Sequence, residues 1–195
     1  MKIDRLVQIK SNNLKPAKGR LLLSEPFMGD YYFGRSVILL AEYNKEGSFG
    51  LILNKPINKH LNEVTEDFPE LSAPLFLGGP VESNRLFFIH TLGDVVDGSV
   101  EVLKGLYWGG NMEDILEMAQ LKKLTPENIR FFLGYSGWGA HQIDDELKRN
   151  SWAVTTATAD LIFKTKTDLL WKKLTRKLGS EYRLWDKFPV NPNLN

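Results

Sequence analysis

Two apolar segments joined by a short polar turn constrain the fold more than any other feature of this chain. Residues 36–43 are apolar and partly β-branched, residues 44–47 read Asn-Lys-Glu-Gly, and residues 49–53 are apolar again. This order predicts a β-hairpin, because the turn residues bring two hydrophobic strands side by side. Pro56 lacks a backbone N–H, so the return strand is expected to end near Asn54. A hairpin early in the chain favours an α+β protein with a mostly antiparallel sheet over a doubly wound parallel sheet.

Helix signals lie in the second half of the chain. Asn111 is a suitable N-cap, since its side chain can accept a hydrogen bond from the first turn of a following helix. A later helix is predicted to begin with a capping pair formed by Thr165 and Asp168 and to end near Gly179. The sequence therefore predicts helices mixed with strands, which again is the α+β pattern.

A strand, a glycine-rich turn and a helix are predicted over 129–135, 136–139 and 140–148. A serine on such a turn is the setting of a nucleophile elbow, whose pattern is G-x-S-x-G. The chain reads Gly-Tyr-Ser-Gly-Trp here, which fails at the last position, and no histidine follows His141. The pattern favours a backbone-stabilising role for Ser136, and a hydrolase or transferase that uses this turn is the alternative.

The composition excludes several kinds of site. The 195 residues contain no cysteine, so disulfides, thiolate catalysis and cysteine-ligated zinc are excluded. The histidines at positions 60, 90 and 141 have no second histidine at helical spacing, and we expect no metal and no cofactor.

The charge balance bears on partners. Lys and Arg number 25 and Asp and Glu number 24, so the net charge is +1 and direct DNA binding is not expected. Basic residues do gather over 164–177, and nucleic-acid binding through that segment is a second alternative, although no helix-turn-helix accompanies it.

The ends of the chain are predicted to differ from its middle. Residues 1–18 are expected to be an N-terminal extension, 19–179 a single domain and 180–195 an irregular tail. The first residues lack the apolar core of a signal peptide, and no apolar run approaches the roughly 20 residues that cross a bilayer. We therefore expect a cytoplasmic protein with no membrane partner.

Several turn motifs occur in the order of a known bacterial family. They lie, together with Asp30, at residues 19–24 (GRLLLS), 33–37 (FGRSV), 50–56 (GLILNKP), 77–81 (LGGPV) and 134–138 (GYSGW). As an ordered set they resemble the YqgE/AlgH family over about residues 18–163. The resemblance implies an α+β fold with a barrel-like sheet of unusual topology flanked by helices. It implies an uncharacterised family whose members are often labelled transcriptional regulators, a label that no DNA-binding motif supports.

One position departs from the family pattern. Members typically have glycine before the glutamine of the helix that follows the Gly-Trp motif, and this chain has His141 before Gln142. Gln142 could reach toward a ligand or pair with Glu146 one helical turn later.

Polar and aromatic residues of these turns form a candidate ligand pocket, on the assumption that they converge. Its members are Ser24, Asp30, Asn54, Ser136, Trp138 and Gln142. No complete catalytic set is visible, so no residue is assigned as catalytic. We expect a non-catalytic binding or regulatory protein, with a small-molecule or anionic ligand.

Overall fold

Ten β-strands form one sheet in the computed structural model, which describes residues 12, 14–69 and 71–188. The strands are β1 (Leu21–Ser24), β2 (Val37–Tyr43), β3 (Gly47–Ile52), β4 (Pro56–His60), β5 (Pro74–Leu77), β6 (Val81–His90), β7 (Val100–Leu103), β8 (Leu106–Trp108), β9 (Ile129–Gly139) and β10 (Trp152–Thr155). The α-helices of the described residues are α1 (Met112–Gln120), α2 (Gln142–Lys148), α3 (Ala159–Lys164) and α4 (Thr167–Lys177), and Leu61–Glu63 and Glu181–Lys187 form 3-10 helices.

The sheet is built around its longest strand, β9. The main path runs β10-β1-β2-β3-β9-β6-β8-β7 with antiparallel neighbours. The first half of β9 also pairs in parallel with β5, which pairs with β4. The expected α+β architecture with a mostly antiparallel sheet is thus confirmed. No pairing joins β10 to β7 in the part of the chain that the structure describes, so the sheet stays open and is barrel-like only in a loose sense.

The predicted hairpin is confirmed as β2 and β3. Ile38 faces Ile52 near its open end, and the Asn44 side chain closes the turn by accepting from the N–H groups of Glu46 and Gly47 at 3.0 Å each. β3 ends at Ile52, two residues before the expected Asn54, and Pro56 begins β4. Proline is tolerated there because the first residue of a strand need not donate to the ladder.

The turn predicted over 136–139 is wrong, because β9 continues through Gly139. Its last four residues pair with Gly47 to Gly50 of β3. A Cβ at Gly47 would lie 2.8 Å from the carbonyl oxygen of Trp138, so this pairing requires glycine at position 47. The chain turns only at His141, whose φ of 60° and ψ of −1° are left-handed. That conformation costs a non-glycine residue energy, whereas glycine, the residue that the family resemblance implies here, adopts it freely.

The helix predicted to start at Thr165 is also different in the structure. Thr158 caps α3 by accepting from the N–H of Leu161 at 3.2 Å, and α4 begins only at Thr167. The expected capping pair is absent: Thr165 Oγ1 accepts from Lys173 Nζ at 3.2 Å, and Lys166 at the N-cap makes no side-chain capping bond. The first turn of α4 therefore keeps backbone N–H groups that no side chain of the N-cap covers.

Three apolar clusters hold the elements together. The largest contains Leu39, Leu51 and Trp171 and lies between the sheet, α3, α4 and the last 3-10 helix. Within the segment predicted to be an irregular tail, Glu181–Lys187 buries Tyr182 and Trp185 in this cluster. Residues 1–11, 13 and 189–195 of the predicted termini lie outside the described residues.

One side chain pairs with the backbone of Val154 at the outer edge of β10. Asn12 Oδ1 accepts from the N–H of Val154 at 3.1 Å, and Asn12 Nδ2 donates to the carbonyl of the same residue. No helix in the described residues is long and apolar enough to cross a membrane.

Candidate functional site

Two members of the predicted pocket, Ser24 and Asn54, hold the segment that enters β2. Ser24 Oγ accepts from the N–H of Ser36 at 2.8 Å. Asn54 Oδ1 accepts from the N–H of Val37 at 2.8 Å, and its Nδ2 donates to the carbonyl of Arg35 at 2.9 Å. The structure brings these two side chains to the same segment, where both satisfy backbone groups.

Asp30 and Ser136 make their hydrogen bonds locally. The exposed Asp30 carboxylate accepts from the N–H groups of Tyr32 and Phe33 and so closes its own turn. Ser136 is fully buried within β9, and its hydroxyl donates to the carbonyl of Gly78 at 3.1 Å. A buried serine that donates to a backbone carbonyl is placed as a structural group.

Trp138 and Gln142 meet at Glu146, and we call this group the Glu146 node. The indole N–H groups of Trp138 and Trp152 both donate to Glu146 Oε2, at 3.0 and 2.6 Å. Gln142 Nε2 donates to Glu146 Oε1 at 2.9 Å, and its Oε1 accepts from the N–H of Gly139 at 3.0 Å. Of the two alternatives for Gln142, the structure shows the pairing with Glu146.

A separate cavity of about 400 Å³ lies where three distant segments meet. Its walls come from residues 71–76 at the start of β5, 125–130 at the start of β9, and 163–168 between α3 and α4. Ligand pockets typically measure roughly 300–1,000 Å³, so this cavity has the size of a small-molecule site. We call it the Arg130 cleft after the one charged side chain buried in its wall.

Arg130 is held in the cleft wall by neutral groups in the described part of the chain. Its side chain is 6% exposed, and its two terminal nitrogens donate to the carbonyls of Leu53 at 3.1 Å and Ile162 at 3.2 Å. The guanidinium also lies 4.9 Å from the ring centre of Phe76 and 5.5 Å from that of Phe163. These contacts orient the guanidinium without neutralising its charge.

The charge of Arg130 persists at neutral pH. Burial lowers its pKa to about 10, well above physiological pH. Among the described residues, no carboxylate forms an ion pair with this guanidinium. A buried cation that has only neutral partners leaves a positive potential in the adjoining space, and an anion placed there would be stabilised.

Sequence reasoning missed Arg130, although a signal was present. The residue interrupts an apolar run that reads Ile-Arg-Phe-Phe-Leu, and alternation along a strand places it on the same face as Phe132. Phe132 is fully buried in the main core, so the face that it shares with Arg130 points inward. A single charged residue on the inner face of a buried strand is therefore the sequence signal that indicates this site.

A smaller cavity of about 280 Å³ lies on the other side of the first turn of α4 and contains Asn54 in its wall. Here two carboxylates, Asp168 and Asp186, lie among the cations of the wall. Asp186 binds Lys172 at 3.0 Å and Arg176 at 2.6 Å, and Arg35 stacks 5.1 Å from the ring centre of Trp171. The basic segment 164–177 is thus partly neutralised by the rest of the fold, and no group of three metal-ligating side chains occurs in the described part of the chain.

Comparison with known proteins gives one consistent family. The AlgH-like family profile matches residues 21–183. A UPF0301 protein from Bacteroides thetaiotaomicron is 41% identical over all of both chains, and one from Chlorobium luteolum is 40% identical over 92% of this chain and 95% of its own.

Solved structures agree with the sequence comparison. The solution structure of the AlgH protein from Pseudomonas aeruginosa has a TM-score of 0.69 and 28% identity, covering 93% of this chain and 98% of its own. The crystal structure of a protein from Corynebacterium diphtheriae, at 23% identity, shares the fold with a TM-score of 0.74 over 96% of this chain and 100% of its own.

Proposed function

We infer that this chain, which belongs to the AlgH-like family, is a non-catalytic cytoplasmic binding protein whose small-molecule ligand occupies the Arg130 cleft. One observation carries the proposal: a buried, protonated guanidinium with no ion-pair partner among the described residues lines a cavity of ligand size. Binding sites of this kind combine apolar walls with a few oriented polar groups.

The walls of the cleft support a binding role. Apolar side chains such as Leu71, Pro74 and Ile129 lie beside the buried Arg130 and the hydroxyl-bearing Thr165. A ligand could bury its apolar part against the former while it exchanges hydrogen bonds with the latter.

The arrangement around Ser136 offers no support for catalysis. Its hydroxyl is buried and donates to Gly78, and a nucleophilic serine needs an adjacent base and an accessible oxygen. The geometry around Ser136 therefore does not support the hydrolase alternative. The cleft supports ligand binding without catalysis.

Regulation is the finer part of the proposal and matches the label often given to the family. The cleft joins three segments that are far apart in the sequence, so a ligand there would favour the arrangement in which all three are docked. A ligand that binds only this arrangement stabilises it by mass action.

The test is a thermal-shift screen of a metabolite panel at neutral pH, followed by blocking of the cleft. Ser72 is an exposed residue of the cleft wall, and Ser72→Trp should fill the space and abolish any shift seen with the wild type. Ser180→Trp is the matched control, because Ser180 is exposed and follows α4 outside the cleft. A panel that leaves the wild-type Tm unchanged throughout, or a shift that survives Ser72→Trp, would overturn the proposal.

A further inference from the structure

The Arg130 cleft carries one buried cation, Arg130, at its base and two exposed groups of opposite charge, Lys166 and Asp168, at its rim. Arg130 is nearly inaccessible to solvent, whereas Asp168 is exposed in the first turn of α4 and lines the same cavity. The two side chains form no ion pair with each other. The cation therefore acts in a water-poor environment, where charge interactions are strong, and the carboxylate acts in a hydrated one, where they are weak.

The start of α4 adds a smaller positive contribution. Lys166 at the N-cap leaves the first-turn N–H groups without a side-chain cap, and the helix runs for 11 residues beyond it. Its dipole places partial positive charge at the rim, where the opposite charges of the exposed Lys166 and Asp168 side chains largely offset each other. The balance of the cleft is thus close to one positive charge, concentrated at Arg130.

The remaining surface of the cleft is largely apolar. Leu71, Ala73, Pro74, Pro126 and Ile129 contribute to its walls, together with the rings that flank Arg130. A ligand without apolar surface would leave these walls facing water, and a ligand with several negative charges would meet only one buried cation.

We propose that the cleft selects monoanionic ligands with an apolar body, such as carboxylates, over neutral and dianionic molecules of the same shape. This selectivity rests on the proposed function, since it describes what the same cleft binds. A single carboxylate matches the one buried positive charge of Arg130, whose terminal nitrogens each use one N–H on a backbone carbonyl. The second charge of a phosphate monoester would lie near Asp168, which repels it, and near the exposed Lys166, which attracts it only weakly.

The test uses three probes that share one benzyl group: phenylacetate, phenylacetamide and benzyl phosphate. Titration calorimetry at pH 7.5 and low salt should give the tightest binding for phenylacetate, by about tenfold over the amide, because hydrogen bonds to charged groups are worth about 1.5–3 kcal/mol. Binding should disappear in Ser72→Trp and persist in Ser180→Trp, which locates the probe in the cleft.

Two variants separate the roles of the charges. Arg130→Gln should weaken phenylacetate at least about tenfold and bring it level with the amide. Asp168→Asn should strengthen benzyl phosphate by about threefold to fivefold and leave the amide unchanged, as expected for one partly hydrated charge interaction. Asp160→Asn is the matched control, because Asp160 is an exposed acid in the first turn of α3 that pairs with Lys164 outside the cleft.

The outcomes distinguish this inference from the function on which it rests. Equal binding of phenylacetate and phenylacetamide, or tightest binding of benzyl phosphate to the wild type, would overturn the selectivity while leaving a ligand-binding cleft. Absence of binding by all three probes and by the wider panel would overturn both. If Arg130→Gln does not fold, the wild-type probe series and Asp168→Asn still decide the matter.

Discussion

The Glu146 node and the Arg130 cleft each contain one charged side chain that is held by neutral partners. Glu146 accepts hydrogen bonds from two indoles and one amide, and Arg130 donates to two backbone carbonyls. By hydrogen-bond count the two groups are similar. Neither relies on an ion pair among the described residues.

Their surroundings differ. The indoles bound to Glu146 belong to Trp138 and Trp152, which are 7% and 2% exposed, so the fold fills the space beside this half-buried carboxylate with its own side chains. Arg130 borders a cavity of about 400 Å³. The comparison teaches that neutral partners can satisfy the hydrogen bonds of a charged group without compensating its charge. A charged group beside an open cavity can therefore still be stabilised by a ligand of opposite charge.

The largest expected effect is at the Glu146 node. Glu146→Ala should lower the free energy of unfolding by about 2–4 kcal/mol, because two buried indole N–H groups lose their acceptor. Glu146→Gln should cost less, since the amide oxygen can still accept from one of them. Urea denaturation would measure both, with the exposed Glu117→Gln on α1 as the control. A cost equal to that of the control would show that the node is not structural.

Arg130→Met should be the milder change. It removes two hydrogen bonds, but it also removes the cost of burying an unpaired charge, so we expect a loss of about 1–2 kcal/mol. Chemical denaturation beside Glu146→Ala would test the order. If Arg130→Met lowered the free energy of unfolding more than Glu146→Ala, the main role of Arg130 would be structural. The contrast between the two regions would then fail.

A smaller effect is expected at His141, which sits just before the helix that carries Glu146. Its left-handed backbone costs a non-glycine residue roughly 1–2 kcal/mol, and a glycine there would avoid this cost. Glycine also loses more conformational entropy on folding than other residues, which offsets part of the stabilisation. His141→Gly should therefore stabilise the protein by about 0.5–1 kcal/mol, seen as a higher Tm. His141→Ala keeps the Cβ and should show no such gain; a stabilised alanine variant would rule out backbone strain as the cause.

The smallest effect is the contribution of the buried His90 to the pH dependence of stability. His90 Nδ1 accepts from the N–H of Leu92 at 3.1 Å, so its Nε2 carries the proton and donates to the carbonyl of Gly109 at 2.9 Å. Burial lowers the pKa of His90. The unfolded chain therefore binds a proton more readily than the folded one, and the stability should fall as the pH drops below about 6.5.

His90→Gln keeps a donor for Gly109 and cannot titrate, so its stability should change less between pH 7 and pH 5. Parallel urea titrations of the wild type and the variant would show the difference. Identical pH profiles would mean that His90 does not contribute.

The predictable parts of this protein are those encoded by neighbouring residues. The hairpin of β2 and β3 and the Asn111 cap, where the side chain accepts from the N–H of Glu113 at 2.9 Å, both follow from local patterns. The run from 136 to 139 was predicted to turn and instead extends β9, because its pairing partner lies about ninety residues earlier in β3.

The same distinction explains the site. The polar residues chosen from turn motifs were found to stabilise backbone or one another, as Ser24 and Gln142 do, and their binding of a ligand stays a prediction. Arg130 becomes notable only when segments starting near residues 71, 125 and 163 meet around it. That meeting depends on the parallel pairing of β5 with β9, which no local sequence pattern predicts.

The contact between Asn12 and Val154 has a consequence for self-association. An outer strand normally presents free N–H and C=O groups that can template pairing with another molecule. On β10, the amide of Asn12 occupies both groups of Val154, much as a neighbouring strand would. This side chain thus hinders pairing of another molecule with the edge at Val154. In strand order, β10 is the end of the sheet farthest from the cleft.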